Sequence, residues 1–202
     1  MRALIVVDVQ NDFVPGGALP VPEGDAVIPV INRLMGRFDV VVATQDWHPA
    51  THKSFASNHP GRRPYEVITL EGLEQVLWPD HCVQGSPGAE FAPGLDLRPV
   101  EAIVRKGTDP GIDSYSGFYD NGRKRTTGLA GYLRERGVRE VYVTGLAGEY
   151  CVFYTAMDAA AEGFATFVVE DATRPLDQED FEKAVVRMRE QGITILRSGN
   201  VR

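Results

Sequence analysis

The feature that most constrains this chain is an alternation. Short, near-continuous runs of branched apolar residues recur, each followed by a longer segment whose apolar residues repeat at helical spacing. The first run is residues 2–7 (RALIVV), ended by Asp8. Residues 25–36 then put Ile28, Ile31, Leu34 and Met35 on one helical face, with Pro29 in the first turn and Gly36 at the end. A second run follows at 38–44 (FDVVVAT). The order returns later, predicting strands over 101–106, 139–144, 165–170 and 193–196 and helices over 126–137, 149–162 and 178–191. A strand that is apolar on both faces is covered on both faces, the condition of a parallel strand between helical layers. The expected fold class is therefore α/β: a doubly wound, mainly parallel six-stranded sheet in a Rossmann-like three-layer arrangement. Two hundred and two residues fit one domain, residues 1–202.

Composition narrows the function. Twenty-eight acidic against 21 basic residues give a net charge of −7, which argues against nucleic acid and anionic membrane as partners. No apolar run approaches the ~18 residues of a membrane span, and Asp8 cuts off the first run before it reaches the length of an export signal. Two cysteines, Cys82 and Cys151, do not make a disulfide framework. The expected compartment is cytoplasmic.

Residues 46–100 break the alternation. They are rich in Pro, Gly and polar residues, show little periodicity, and hold all four histidines (His48, His52, His59, His81) and both tryptophans (Trp47, Trp78). A stretch this long without strong secondary structure marks a functional loop region.

Ligands of open parallel sheets bind beyond the carboxyl ends of the strands. Asp8, Asp46, Lys106 and the segment Gly145–Cys151 follow the first, second, third and fourth predicted strands. The ends of the first, third and fourth are neighbours under the usual winding. Any α/β protein carries some polar residues there, and only the full set points to a site. Cys151 falls in the first turn of a predicted helix, where backbone N–H groups and the helix dipole favour a thiolate and offer donors to an oxyanion. A cysteine there can equally be an inert, buried small hydrophobe. Asp8 and Lys106 at nearby strand ends favour the nucleophile, while Cys82 has no such setting and reads as structural.

Asp46 and His48 stand two residues apart, and His81 returns from the far side of the loop. One carboxylate and two imidazoles suit Zn²⁺, Fe²⁺ or Mn²⁺, although solvated loop histidines would look the same in sequence. His52 is a candidate further ligand or supporting partner, whereas His59-Pro60-Gly61 reads as a turn. Phe13, Trp47, Trp78, Tyr115, Phe118 and Tyr150 are candidates to wall a flat apolar pocket.

The blocks VDVQNDF (7–13), PGGALPV (15–21), TQDWHP (44–49), WPDHCVQGSPGAE (78–90), RKGTD (105–109), DSYSGF (113–118) and GLAGEYCV (145–152) together resemble the nicotinamidase/pyrazinamidase family of isochorismatase-like cysteine hydrolases. The resemblance runs from about residue 3 to 172. It implies a catalytic triad of Asp8, Lys106 and Cys151, and Asp46, His48 and His81 as ligands of one divalent transition ion, with zinc first and iron or manganese as alternatives. It also implies that Phe13 and Trp78 sandwich the pyridine ring, and that the backbone N–H groups of Ala147 and Cys151 form the oxyanion hole beside a cis peptide between Leu146 and Ala147. The implied activity is hydrolysis of nicotinamide, and of pyrazinamide, to the acid and ammonia through a cysteine thioester, in NAD salvage. One departure stands out: Gly148-Glu149-Tyr150 occupies a stretch that commonly reads Thr-Asp-Tyr.

Rival readings are separable. A cysteine hydrolase of another small amide or carbamoyl compound would share the triad but need no metal site. An isochorismatase-type vinyl-ether hydrolase would lack Cys151. A phosphoacceptor receiver domain needs no histidine loop, and in a haloacid-dehalogenase-type phosphatase Gln10 would have to be a second Asp. A non-catalytic metal-binding α/β module is the plainest alternative. The segment 178–191 can pack on the sheet or at a subunit interface, so a homo-oligomer is left open.

Overall fold

The computed structural model describes residues 1–201. Its strands are β1 (Arg2–Val7), β2 (Val40–Asp46), β3 (Val67–Leu70), β4 (Leu73–Val76), β5 (Ala102–Lys106), β6 (Glu140–Leu146), β7 (Ala165–Arg174) and β8 (Thr194–Leu196). Six of them form one sheet in the order β5-β2-β1-β6-β7-β8, and every adjacent pair in it is parallel. The chain winds outward from β1 to β2 and β5, then crosses back to lay β6 on the other side of β1. The winding reverses at β1, and the crevice beyond a reversal is where such sheets bind ligands.

Helices α1 (Val27–Met35), α2 (Leu129–Glu135), α3 (Phe153–Ala161) and α4 (Gln178–Glu190) cover the sheet. Alternate residues of β1 point to opposite layers. Ala3, Ile5 and Val7 pack with Leu133 of α2, Ala156 of α3 and Met188 of α4. Leu4 and Val6 pack with Ile31 and Leu34 of α1 and with Trp78, Cys82 and Ala92 of the long connection between β2 and β5. That connection therefore acts as part of a layer. The start of α4 is legible locally: Asp177 accepts the Asp180 N–H at 3.0 Å, Glu179 and Asp180 lie in the first turn, and Arg187 and Arg189 complement the last.

The structure moves several expected boundaries. The second strand spans Val40–Asp46 instead of 38–44, because Gln45 and Asp46 pair with Arg105 and Lys106 of β5. The helix expected over 126–137 begins only at Leu129: Thr127 donates its hydroxyl to the Gly117 carbonyl, holding the preceding chain in a turn. β7 continues to Arg174, with a skip in register that pairs Val143 with Val168 but Gly145 with Thr173. Within residues 46–100, β3 and β4 make an antiparallel hairpin. Its turn, Glu71-Gly72, has both residues in the left-handed region (φ 50° and 81°), the geometry of a tight hairpin turn. Glu in place of the usual Asn or Asp hid that signal. Among the described residues, no helix is long and apolar enough to cross a membrane.

Leu133 is fully buried between α2 and the sheet, so Leu133→Ala should lower unfolding free energy by about 2–5 kcal/mol. Urea titration followed by circular dichroism checks this; a loss below about 1 kcal/mol would mean the helix packs loosely.

Candidate active site

Asp8 is the first residue beyond β1 and adopts φ 47°, a left-handed conformation that Asp tolerates better than most. Thr44 of β2 fixes it twice: the Asp8 backbone N–H donates to Thr44 Oγ1 at 3.2 Å, and that hydroxyl donates to Asp8 Oδ1 at 2.6 Å. The other carboxylate oxygen lies 2.9 Å from Lys106 Nζ. Lys106 comes from β5, which β2 separates from β1, so the third predicted strand end is not a direct neighbour of the first. The lysine side chain crosses that gap. Its ammonium also donates to Asp46 Oδ1 at 2.9 Å, the Ser114 carbonyl at 2.8 Å and Cys151 Sγ at 3.5 Å. Asp8, Lys106 and Cys151 are all buried.

Two carboxylates and one ammonium share this interior, and they perturb one another. Burial disfavours the Lys106 charge, but Asp46 and Asp8 overcome it and hold the ammonium well above the usual lysine range. Burial pushes the Asp8 carboxyl up, with Lys106 opposing and Asp46 adding to the rise. Burial likewise pushes the Cys151 thiol well above its ordinary range, Lys106 opposing and Asp8 adding. The expectation that a helix start favours a thiolate is thus not met. Cys151 lies in a wide π-helical turn, Gly148–Val152, that runs into α3, and burial is the largest influence on its thiol.

Beside this group, Asp46, His48 and His81 bring one ligand atom each within 4.8 Å of one another, all buried. Asp46 Oδ2 lies 3.0 Å from His48 Nε2 and 3.5 Å from His81 Nε2. Each histidine donates its Nδ1–H to a carbonyl, His48 to Gly107 at 2.9 Å and His81 to Pro79 at 2.7 Å. With Nδ1–H so engaged, the neutral form of each ring presents its Nε2 lone pair toward Asp46. That is the arrangement of metal-ligating imidazoles supported from behind. At His48, Asp46 opposes burial and raises the pKa by favouring the imidazolium. The excess of carboxylate over ammonium charge suits a divalent cation, so the residues present fit one. Burial raises the Asp46 carboxyl, but His48 and Lys106 hold it well below the usual range. Gln10 fixes the strand end, donating to the Asp46 carbonyl and accepting the Asp46 N–H, each at 2.8 Å.

His52 stands outside this set. It groups instead with His48 and Asp113, its ring 4.3 Å from that of His48. The Ser54 N–H donates to its Nδ1 at 3.1 Å, and burial, with the His48 charge, lowers its pKa to about 4. His59 bonds the Lys53 carbonyl away from the site, in keeping with a turn.

Above the thiol lies a small cavity of about 30 Å³ lined by Phe13, Trp78, Tyr115, Tyr150, Ala147 and Leu176, together with Cys151, Asp46 and His81. A larger hollow of about 270 Å³ near Arg105, Asp109 and Arg125 is more open and brings no cysteine to its walls. Of the six expected aromatics, four line the cavity. Trp47 instead lies under the Arg105 guanidinium, 3.8 Å from its ring centroid, and Phe118 packs in the core against Phe164. Trp78 Nε1 donates to Tyr115 Oη at 3.2 Å, and Gln75 of the hairpin donates to Asp113 Oδ2 at 3.0 Å. The peptide between Leu146 and Ala147 is cis, as the resemblance implied.

Sequence reasoning missed Thr44, Asp113 and Gln75. Thr44 falls inside an apolar strand and Gln75 in an unrecognised one, so nothing local marked either.

Residues 2–199 match the isochorismatase domain. The chain belongs to the isochorismatase family. It is 49% identical over 200 residues to the nicotinamidase of Acinetobacter baylyi, a match covering 98% of this chain and 94% of that one. Among solved structures, an Acinetobacter nicotinamidase/pyrazinamidase superposes with a TM-score of 0.97 at 50% identity, covering 100% of this chain and 98% of the other. A pyrazinamidase of Pyrococcus horikoshii, solved in complex with zinc, superposes at 0.81 with 44% identity, covering 97% and 98%.

Gly107 has φ 65°, and a Cβ there would stand 2.3 Å from His48 Cε1. Gly107→Ala should therefore displace the imidazole and lower zinc affinity at least tenfold, the scale on which lost support of a ligand acts. Titration of the apoprotein with zinc measures this, and unchanged affinity would show that the ring position is not set by Gly107.

Proposed function

We propose that this single domain, residues 1–202, is a nicotinamidase that hydrolyses nicotinamide, and pyrazinamide, to the acid and ammonia through a thioester on Cys151, in cytoplasmic NAD salvage. The observation that carries the reading is the 3.5 Å approach of Lys106 Nζ to Cys151 Sγ, with Asp8 2.9 Å from the same ammonium, at the foot of a small aromatic cavity. Relatives named nicotinamidase over nearly the whole chain support it.

The ring lies between Phe13 and Trp78, which leaves the carboxamide carbon facing Cys151. Asp8 takes the thiol proton as sulfur attacks that carbon, while Lys106 keeps Asp8 ionised against the cost of burial. The backbone N–H groups of Ala147 and Cys151 receive the oxyanion; one such donor is worth about 3 kcal/mol. On collapse of the tetrahedral species the C–N bond breaks, and Asp8 returns the proton to the leaving nitrogen, releasing ammonia. A water molecule deprotonated by Asp8 then adds to the thioester, the C–S bond breaks, and nicotinate leaves with the thiol restored. Bound by Asp46, His48 and His81, a divalent ion (zinc first, iron or manganese otherwise) supplies a Lewis-acidic anchor for a ring nitrogen.

Purified protein and nicotinamide should release ammonia. Cys151→Ala should abolish release while circular dichroism stays unchanged; more than a few per cent of residual activity sinks the nucleophile assignment. Asp8→Asn should be about as damaging, since members of one catalytic unit do not act additively. Mass spectrometry showing a thioester formed at normal speed in that variant would move the base elsewhere.

Chelation should impair nicotinamide hydrolysis strongly, and benzamide, which lacks the ring nitrogen, should be a poor substrate even for the metal-loaded protein. Full activity in excess chelator, with no stoichiometric ion found by elemental analysis, would refute the metal part alone.

A further inference from the structure

The Gly148-Glu149 pair, where the sequence departs from the family's common pattern, packs against a segment that the mechanism does not use. Glu149 is buried in the π-helical turn that carries Cys151. Its carboxylate accepts two successive backbone N–H groups from the connection between β7 and α4: Asp177 on Oε1 at 2.7 Å and Leu176 on Oε2 at 3.1 Å. Gly148 admits the same segment from another side. A Cβ at that position would stand 2.7 Å from Phe181 Cδ2, in the first turns of α4. Leu176 in turn is a wall of the cavity above Cys151.

A buried carboxylate that accepts two N–H groups can be no more than a local brace. Here the brace joins the nucleophile's own turn to a wall of the pocket, and one of the two bonded amides belongs to the wall residue. Hydrogen bonds to an ionised acceptor are about twice as strong as neutral ones, and these two N–H groups favour the ionised form of Glu149 against the burial that raises its carboxyl. Arg174 is the last residue of β7, and α4 starts at Gln178. The segment lies between the two, held on one side by the Asp177 cap of α4 and on the other by the clamp.

We propose that Glu149 is a positioning residue that sets the distance between the Leu176 wall and Cys151, and thereby the affinity of the pocket for a single flat ring. This rests on the reading that the cavity takes the substrate ring. Glu149 acts through Leu176 and takes no part in the bond-making steps.

The test is steady-state ammonia release with nicotinamide in four forms of the full chain: unaltered, Glu149→Gln, Leu176→Ala and the double variant. An amide offers one acceptor oxygen and turns an NH₂ toward the other N–H, so Glu149→Gln should raise KM about tenfold, the scale of one lost charge-assisted bond, with kcat within about threefold. Leu176→Ala should raise KM as well. Because both changes act on one wall, the double variant should have the KM of Leu176→Ala alone, within about twofold. Hydrogen exchange at the Leu176 and Asp177 amides should accelerate in Glu149→Gln at least tenfold, independently of turnover. Glu149→Asp keeps both acceptors on a shorter stem and should give an intermediate KM; it carries the same test if the Gln variant does not fold. An unchanged KM alongside accelerated exchange would overturn the proposal, as would additive effects in the double variant or a fall in kcat at constant KM. Absence of turnover by the unaltered protein would overturn the functional reading along with this one, whereas normal turnover with any of the preceding results overturns this one alone.

Discussion

A buried ammonium organises this molecule. Lys106 is almost wholly removed from water, and an unpaired charge so placed costs several kcal/mol. Its neighbours meet that cost: two carboxylates at 2.9 Å and a carbonyl at 2.8 Å. Each comes from a different part of the fold, namely the ends of β1 and β2 and the loop at Ser114. The ion pairs therefore hold three segments together at the open end of the sheet. They also join two chemistries. Asp46 spends one oxygen on Lys106 and turns the other to His48 and His81, so the candidate metal ligands and the candidate nucleophile share a charge. Removing either carboxylate would leave the ammonium under-compensated, which is why changes here affect both at once.

The long connection from β2 to β5 follows from the same need. Strand ends supply Asp8, Asp46 and Lys106, but no strand points at the far side of the crevice. The chain must leave the sheet, bring Trp78 and His81 over it, and return. It does so by pairing short pieces of backbone with what it passes. The His48 N–H donates to the Cys82 carbonyl at 3.0 Å, the Gln84 N–H to the His48 carbonyl at 2.8 Å, and the Trp78 N–H to the Ser54 carbonyl at 2.8 Å. Buried backbone has to be satisfied somewhere. Here isolated bridges satisfy it where a ladder does not, and so a segment poor in regular structure still fixes a histidine and a tryptophan.

That contrast explains what could be read in the sequence. Strands buried on both faces announce themselves through continuous apolar runs, so β1 and β6 fall close to where the pattern predicts them. Asp8, Asp46 and Lys106 were legible because a charged residue at the end of such a run has few reasons to be there. The hairpin was not legible, since each strand has four residues and its turn uses Glu. Strand order was legible only in part: β2 stands between β5 and β1, and nothing local says that a lysine will reach across it. Thr44 was hidden because a β-branched residue in a strand normally reports packing, while its hydroxyl here orients Asp8. The π-helical turn was hidden because the helix around Cys151 has ordinary composition.

The same burial acts on both partners in the proton transfer. Burial raises both the Asp8 carboxyl and the Cys151 thiol, so neither group gains by carrying a full charge alone. A permanently ionised cysteine would attack and be oxidised without regard to substrate. In the proposed mechanism the proton leaves sulfur only as a carbonyl carbon arrives to take its electrons. The oxyanion that forms then lies among fixed donors in a site from which water is largely excluded, where such interactions are strong. Lys106 makes this exchange feasible by stabilising whichever of its neighbours is negative at a given moment. The same low-dielectric interior that suppresses the resting nucleophile thus strengthens its stabilisation once the reaction has begun.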